Sequence, residues 1–194
     1  MEKKSGMKHL VRCLCLLMVF SAILTIPAFA AKKKVLVAYF SATGTTKAAA
    51  KKVKKASGGT LYQIKPKKAY TKADLNYNNE DSRATREQED ESIRPAIKGK
   101  VRNIRKYDLI FIGYPIWWGK EPKVIKTFLE SYNLKGKTII PFCTSGSSGI
   151  SGSMKGIRKS AAGAKVKKGK DLTDMSYGQV KKWVSRVMLS SPRS

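Results

Sequence analysis

An apolar run that stops in a hydroxyl-rich turn and restarts as a helix constrains this chain more than any other feature. In "VLVAYFSATGTTKAAAKKV" (Val35–Val53), the residues from Val35 to Phe40 are apolar without alternation, the pattern of a strand buried on both faces. Ser41, Thr43, Thr45 and Thr46 then surround Gly44, and an Ala/Lys-rich helical pattern follows. Thr45 or Thr46 is placed to cap that helix, whose first N–H groups have no partners within it. Strand, small turn and helix start together suit an anion, and a phosphate above all.

The same grammar repeats down the chain. "TLYQIKP" is a short second strand ended by Pro66, and "YDLIFIGYPIWW" gives a third, in which Leu109–Ile112 are again apolar without alternation. "EPKVIKTFLESYNL" follows as an amphipathic helix, with Glu121 and Pro122 at its start and Val124, Ile125, Phe128 and Leu129 on one stripe. "KTIIPFCT" is a fourth strand, "SGSSGISGS" a small polar loop, and "MKGIRKSA" a helix. A weak fifth strand falls near Ala164–Lys168, and the last helix sets Val180, Trp183, Val184 and Val187 on one face. Between Lys67 and about Ile97 the chain is polar and carries most of its acids, with one short helix starting near Asp81 or Ser82. So long a connection predicts a packed excursion near the site. Strands alternating with helices predict an α/β fold, a three-layer doubly wound sandwich whose ligand lies at the carboxyl ends of its strands. At 194 residues there is room for one such domain.

Residues 1–30 read as a leader. Lys3, Lys4, Lys8 and Arg12 precede the apolar "CLCLLMVFSAILTI", and "PAFAA" supplies the small residues for cleavage before Ala31. Neither a lipoprotein-type cysteine context nor a twin-arginine pair is present, so the leader implies general secretion, to a secreted, periplasmic or cell-surface location. The domain then spans residues 31–194. Removing the leader takes away His9, Cys13 and Cys15, leaving Cys143 and no histidine. Nucleophile–histidine mechanisms are excluded and a zinc site is disfavoured, so chemistry must come largely from a cofactor. Loss of Glu2 and the four leader cations lowers the net charge from +27 to +24. Such a surplus reads first as a solvated, generally basic surface, and otherwise suits an anionic cell surface. The cations are spread without aromatic interleaving or zinc-finger spacing, which argues against a specific nucleic-acid reader.

In this architecture three loops meet at one sheet edge: "SATGTT", "YPIWWGKEP" and "TSGSSG". The first lacks both the Lys-Ser/Thr ending of a triphosphate loop and the three-glycine dinucleotide fingerprint, and suits a terminal monophosphate. The second brings the aromatic planes of Trp117 and Trp118, and the third a small polar rim. With "VAYFSATGTTKAAA", "YDLIFIGYPIWWGKEPKVIKTFLE" and "GKTIIPFCTSGSSGI", and more loosely the acidic excursion, the chain from about Lys33 to Leu189 resembles the flavodoxin family. The resemblance implies a five-stranded parallel sheet in the order 2-1-3-4-5 and FMN as cofactor. It implies that Ser41, Thr43, Gly44, Thr45 and Thr46 hold the phosphate, that Pro115, Ile116, Trp117, Trp118 and Gly119 line the isoalloxazine, and that Thr144, Ser145, Gly146, Ser148 and Gly149 contact the ring or ribityl chain. It implies electron transfer or flavin-dependent oxidoreduction, with a protein partner or a quinone-like substrate as acceptor. A rival reading is a cofactor-free module of the same shape that holds anionic polymers or membrane. Lys47, Lys120 and Lys123 fall in or beside these loops, with Glu121 alone opposing them, which predicts a less negative flavin potential than in acidic flavodoxins.

Overall fold

Runs that are apolar at every position require cover on both sides, and the chain supplies it with helices. In the computed structural model, which describes residues 33–191, the elements are β1 (Val35–Tyr39), α1 (Thr45–Ser57), β2 (Thr60–Gln63), β3 (Lys65–Pro66), α2 (Arg83–Glu89), β4 (Ile97–Lys98), β5 (Leu109–Pro115), α3 (Lys123–Glu130), β6 (Thr138–Thr144), α4 (Met154–Ser160), β7 (Lys165–Val166), β8 (Lys170–Asp171) and α5 (Tyr177–Leu189). The leader, residues 1–30, lies outside the described residues. The main sheet runs β2-β1-β5-β6-β7, all parallel, with β8 also pairing β6. In register, Val37 stands between Leu61 and Phe111.

The two-residue period of a strand divides these runs between two cores. Leu36, Ala38, Ile110 and Ile112 face α3 and α4, against Val124, Ile125, Phe128 and Ile157. Val35, Val37, Leu109, Phe111 and Phe142 face α1 and α5, against Ala50, Val53, Val180, Trp183 and Val184. Helix ends follow local chemistry. Gly58 closes α1 in the left-handed region (φ 67°), Ser82 caps α2 through its side chain, and Ser176 with Gln179 forms a capping box on α5.

The predicted order 2-1-3-4-5 is that of the main strands, with one correction at the edge. The fifth position is shared by β7 and β8, separated by Lys167–Gly169. "AKVKKGK" offers Val166 as its one β-branched apolar residue, so neither piece can be a long buried strand. The excursion is also richer than one helix. A 3₁₀ turn at Ala73–Leu75 precedes α2, and β3 and β4 close its two ends as an antiparallel ribbon pairing Lys65 with Lys98 and Pro66 with Ile97.

Gly113 is fixed by packing. It pairs with Phe142, and a Cβ at position 113 would lie 2.1 Å from the Phe142 ring. Gly113→Ala is expected to cost about 1–3 kcal/mol by overpacking, read as a lower urea midpoint with an unchanged m-value. An unshifted midpoint would show that the ring turns aside freely.

Candidate functional site

The carboxyl ends of β1, β5 and β6 meet around a cavity of about 440 Å³. Its first wall is the Ser41–Gly44 turn, drawn in by a hydrogen bond from the Gly44 N–H to Ser41 Oγ at 3.0 Å. Gly44 adopts φ 102°, which only glycine takes without strain, and is itself the residue before helix α1. This corrects the capping expectation. Thr45 and Thr46 are the first helical residues, no side chain caps α1, and its first-turn N–H groups are unclaimed. Thr46 is buried, and its hydroxyl meets that of Thr144 at 2.7 Å, tying the helix start to the end of β6.

The second wall is held to β6 by the Ile116 N–H donating to Thr144 O at 2.9 Å. Trp117 and Lys120 then exchange two backbone hydrogen bonds of 2.9 Å around a tight turn, with Trp118 at φ 47° and Gly119 at φ 73°. Positive φ at both central positions is type I′ geometry, and it strains Trp118 by roughly 1–2 kcal/mol. Trp117 is buried, edge-on to Phe40 (5.5 Å) and Tyr70 (4.9 Å), and lines the cavity. Trp118 is half-buried and stacks on Tyr77 of the excursion at 4.0 Å and 19°. That stack offsets part of the turn's strain.

In the third loop the Ser145 N–H donates to Thr173 Oγ1 (2.9 Å), and the Gly149 N–H folds back onto Ser145 Oγ (3.0 Å). Of the residues expected at the site, Thr43, Thr45 and Thr46, Pro115, Ile116 and Trp117, and Thr144, Ser145 and Gly146 line the cavity. Ser41, Gly44, Trp118, Gly119, Ser148 and Gly149 lie outside its lining, and Ser41 and Gly44 shape the turn behind it. Ala42, Leu75, Tyr77 and Thr173 line it unforeseen. The length of the excursion signalled its approach, whereas no local pattern marks Thr173. No acid and no lysine or arginine is among the lining residues. Cys143 is fully buried, and burial first, then Asp171, pushes its thiol well up, as a small hydrophobe rather than a reactive group.

The sequence-based charge count needs correcting. Glu91, from the excursion, takes Lys126 at 2.5 Å and both Lys120 and Lys123 at 3.3 Å, so the last two do not face the cavity. The Lys126 contact, with help from the other two lysines, holds the Glu91 carboxyl down at about 2. Glu121 precedes α3 with its side chain buried, Oε1 without a hydrogen-bond partner and Lys126 Nζ 3.8 Å away. Burial outweighs the lysines and raises its pKa.

An acid whose folded pKa is raised contributes stability that is present below its unfolded pKa and lost as pH rises through the folded one. Glu121→Gln is therefore expected to gain stability over the native protein progressively as pH rises from the ordinary glutamate range toward neutrality, measured by urea unfolding across that window. Parallel pH profiles would show that folding leaves the Glu121 carboxyl at its ordinary pKa.

Comparison with known proteins agrees with this geometry. The flavodoxin family model matches residues 34–187. A Bacteroides eggerthii protein assigned as a flavoprotein is 47% identical, covering 80% of this chain and 98% of its own, with a TM-score of 0.77. A Lactobacillus acidophilus flavoprotein solved in complex with FMN is 26% identical over 78% of this chain and 98% of its own, with a TM-score of 0.62. A flavodoxin of Bacillus cereus shares the fold at 16% identity, a TM-score of 0.52, and coverage of 81% of this chain and 99% of its own. The comparison with curated proteins finds no match. The chain belongs to the flavodoxin family.

Proposed function

We propose that this protein binds FMN and acts in electron transfer or flavin-dependent oxidoreduction after export. The observation that carries the reading is the uncapped start of α1 opening, behind the Ser41–Gly44 turn, into the same cavity as Trp117. Thr43 and Thr45, with the first-turn N–H groups, suit the terminal phosphate. Pro115, Ile116 and Trp117 offer the flat wall a ring needs, and Thr144–Gly146 the polar edge. A bound FMN supplies the redox chemistry. The protein's own residues bind and orient it, and the lining holds no side chain able to act as acid or base near neutral pH.

Export and an anionic partner surface belong to the same proposal. The leader supports the first. For the second, α1 and α5 pack together and present Lys47, Lys51, Lys54, Lys55, Lys181, Lys182 and Arg186 with no acidic residue on either helix. The electron acceptor is then a protein or a quinone-like molecule reaching the open edge of the cavity.

Titration with FMN, FAD and riboflavin tests the phosphate assignment. Charge-assisted hydrogen bonds contribute about 1.5–3 kcal/mol, so FMN is expected to bind roughly tenfold or more tightly than riboflavin. Equal affinities overturn the reading. Trp117→Ala is expected to weaken FMN by about 0.5–1.5 kcal/mol beyond lost area and to reduce flavin quenching of tryptophan fluorescence, whereas Trp118→Ala acts mainly through its turn. If Trp118 alone changes the quenching, the ring enters the Tyr77–Trp118 stack instead. Expression with and without the leader tests loading. FMN acquired by the exported form from supplied flavin supports the proposal, and a flavin-free exported form that cannot be loaded favours the cofactor-free module.

A further inference from the structure

A second cavity, of about 260 Å³, opens on the far side of the Ser41–Ala42 turn, between the end of β1 and the β3–β4 ribbon. It is smaller than the roughly 300–1,000 Å³ of sites for drug-sized ligands. Its accessible aromatic surface is Tyr70, backed by Phe40 and held in place. Phe40 is buried, with its ring 5.7 Å from that of Tyr70. The Tyr70 hydroxyl donates to Glu87 Oε2 at 2.6 Å, the Arg83 guanidinium lies 4.0 Å over its ring, and Trp117 meets its edge.

The rim carries one sign of charge. Lys65 and Lys98 stand directly opposite each other in the antiparallel register, both exposed and both lining the cavity. Among the described residues neither forms an ion pair, and no acid lines the cavity. Like charges placed directly opposite weaken an antiparallel pair, and this ribbon has only two residues on each strand to absorb the cost. An anion between the two lysines removes that repulsion. Gln63 and the Ser41 hydroxyl, whose oxygen accepts from Gly44 while its proton stays free, add neutral donors nearby.

The structure assigns this cavity as a binding site for a small aromatic anion, a carboxylate or sulfonate on one or two fused rings. The ring lies against the accessible part of Tyr70, beside Pro66 and Ala69, and the acid group lies between Lys65 and Lys98. The site does not depend on the flavin reading, since Ala42 is the one residue lining both cavities.

The test is a fluorescence or calorimetric titration of the full protein with naphthalene-2-sulfonate, with and without saturating FMN. Saturable one-to-one binding is expected in both conditions. Replacing both lysines by alanine is expected to weaken it by about tenfold, while Lys65→Arg with Lys98→Arg retains it. Both positions are exposed, so these variants are expected to keep the native circular dichroism spectrum. Loss of the probe on adding FMN places it in the first cavity and overturns the assignment. So does absence of saturable binding, or an unchanged affinity in the double alanine variant. Competition by inorganic sulfate as strong as by the probe reduces the site to a bare anion contact and overturns the aromatic part, whereas competition by uncharged 2-naphthol at equal strength overturns the role of the lysines.

Discussion

The cleft depends on a helix that starts without a cap. Gly44 takes a backbone conformation that bulkier residues avoid, and Ser41 is spent on Gly44's own N–H rather than on the helix. The first-turn donors of α1 therefore remain available, and the hydroxyl contact between Thr46 and Thr144 fixes where they point relative to β6. A Ser or Asp cap at position 44 would satisfy one of those donors, but the residue would be strained at φ 102° and the cap itself would add only about a few tenths of a kcal/mol over glycine. The same change would remove part of what makes this end of the sheet attractive to an anion. Backbone conformation and ligand capacity both favour glycine at this residue.

The parts of this architecture visible in the sequence are those set by short-range periodicity. Val35–Phe40 and Leu109–Ile112 had to be buried strands because every position is apolar, and the loops after them had to meet because parallel strands bring their ends together. Together with the flavodoxin resemblance, that is what points to Thr43, Thr45, Pro115, Ile116, Trp117 and Thr144, which line the cavity. What was not legible depends on contacts between segments far apart. Tyr77 reaches Trp118, Thr173 reaches Ser145, and Glu91 gathers three lysines, all across dozens of residues or more. Ser148 and Gly149 lie outside the cavity lining, in a loop folded back by the Gly149 N–H on Ser145 Oγ, a bond that no composition rule reveals.

The polar excursion thus serves the structure in ways its composition conceals. A segment rich in acids inside a strongly basic chain supplies the counter-charges that the third helix requires. Lys123 is completely buried, which lowers its pKa, and Lys126 nearly so, and the nearby Glu91 carboxylate offsets part of the cost of burying them. Glu91 thus ties the excursion to α3, the helix that follows the loop carrying Trp117 and Trp118.

The divided outer strand has a consequence for the molecule in crowded solution. A sheet edge normally presents a row of free amide and carbonyl groups onto which another chain can add. Here the β7–β8 border is broken at Lys167–Gly169, each piece has two residues, and lysines stand at 165, 167, 168 and 170. An incoming strand would find no continuous ladder and would have to desolvate several ammonium groups to reach what remains. The broken, lysine-lined border therefore disfavours pairing by a second copy, although among the described residues no further strand pairs with it.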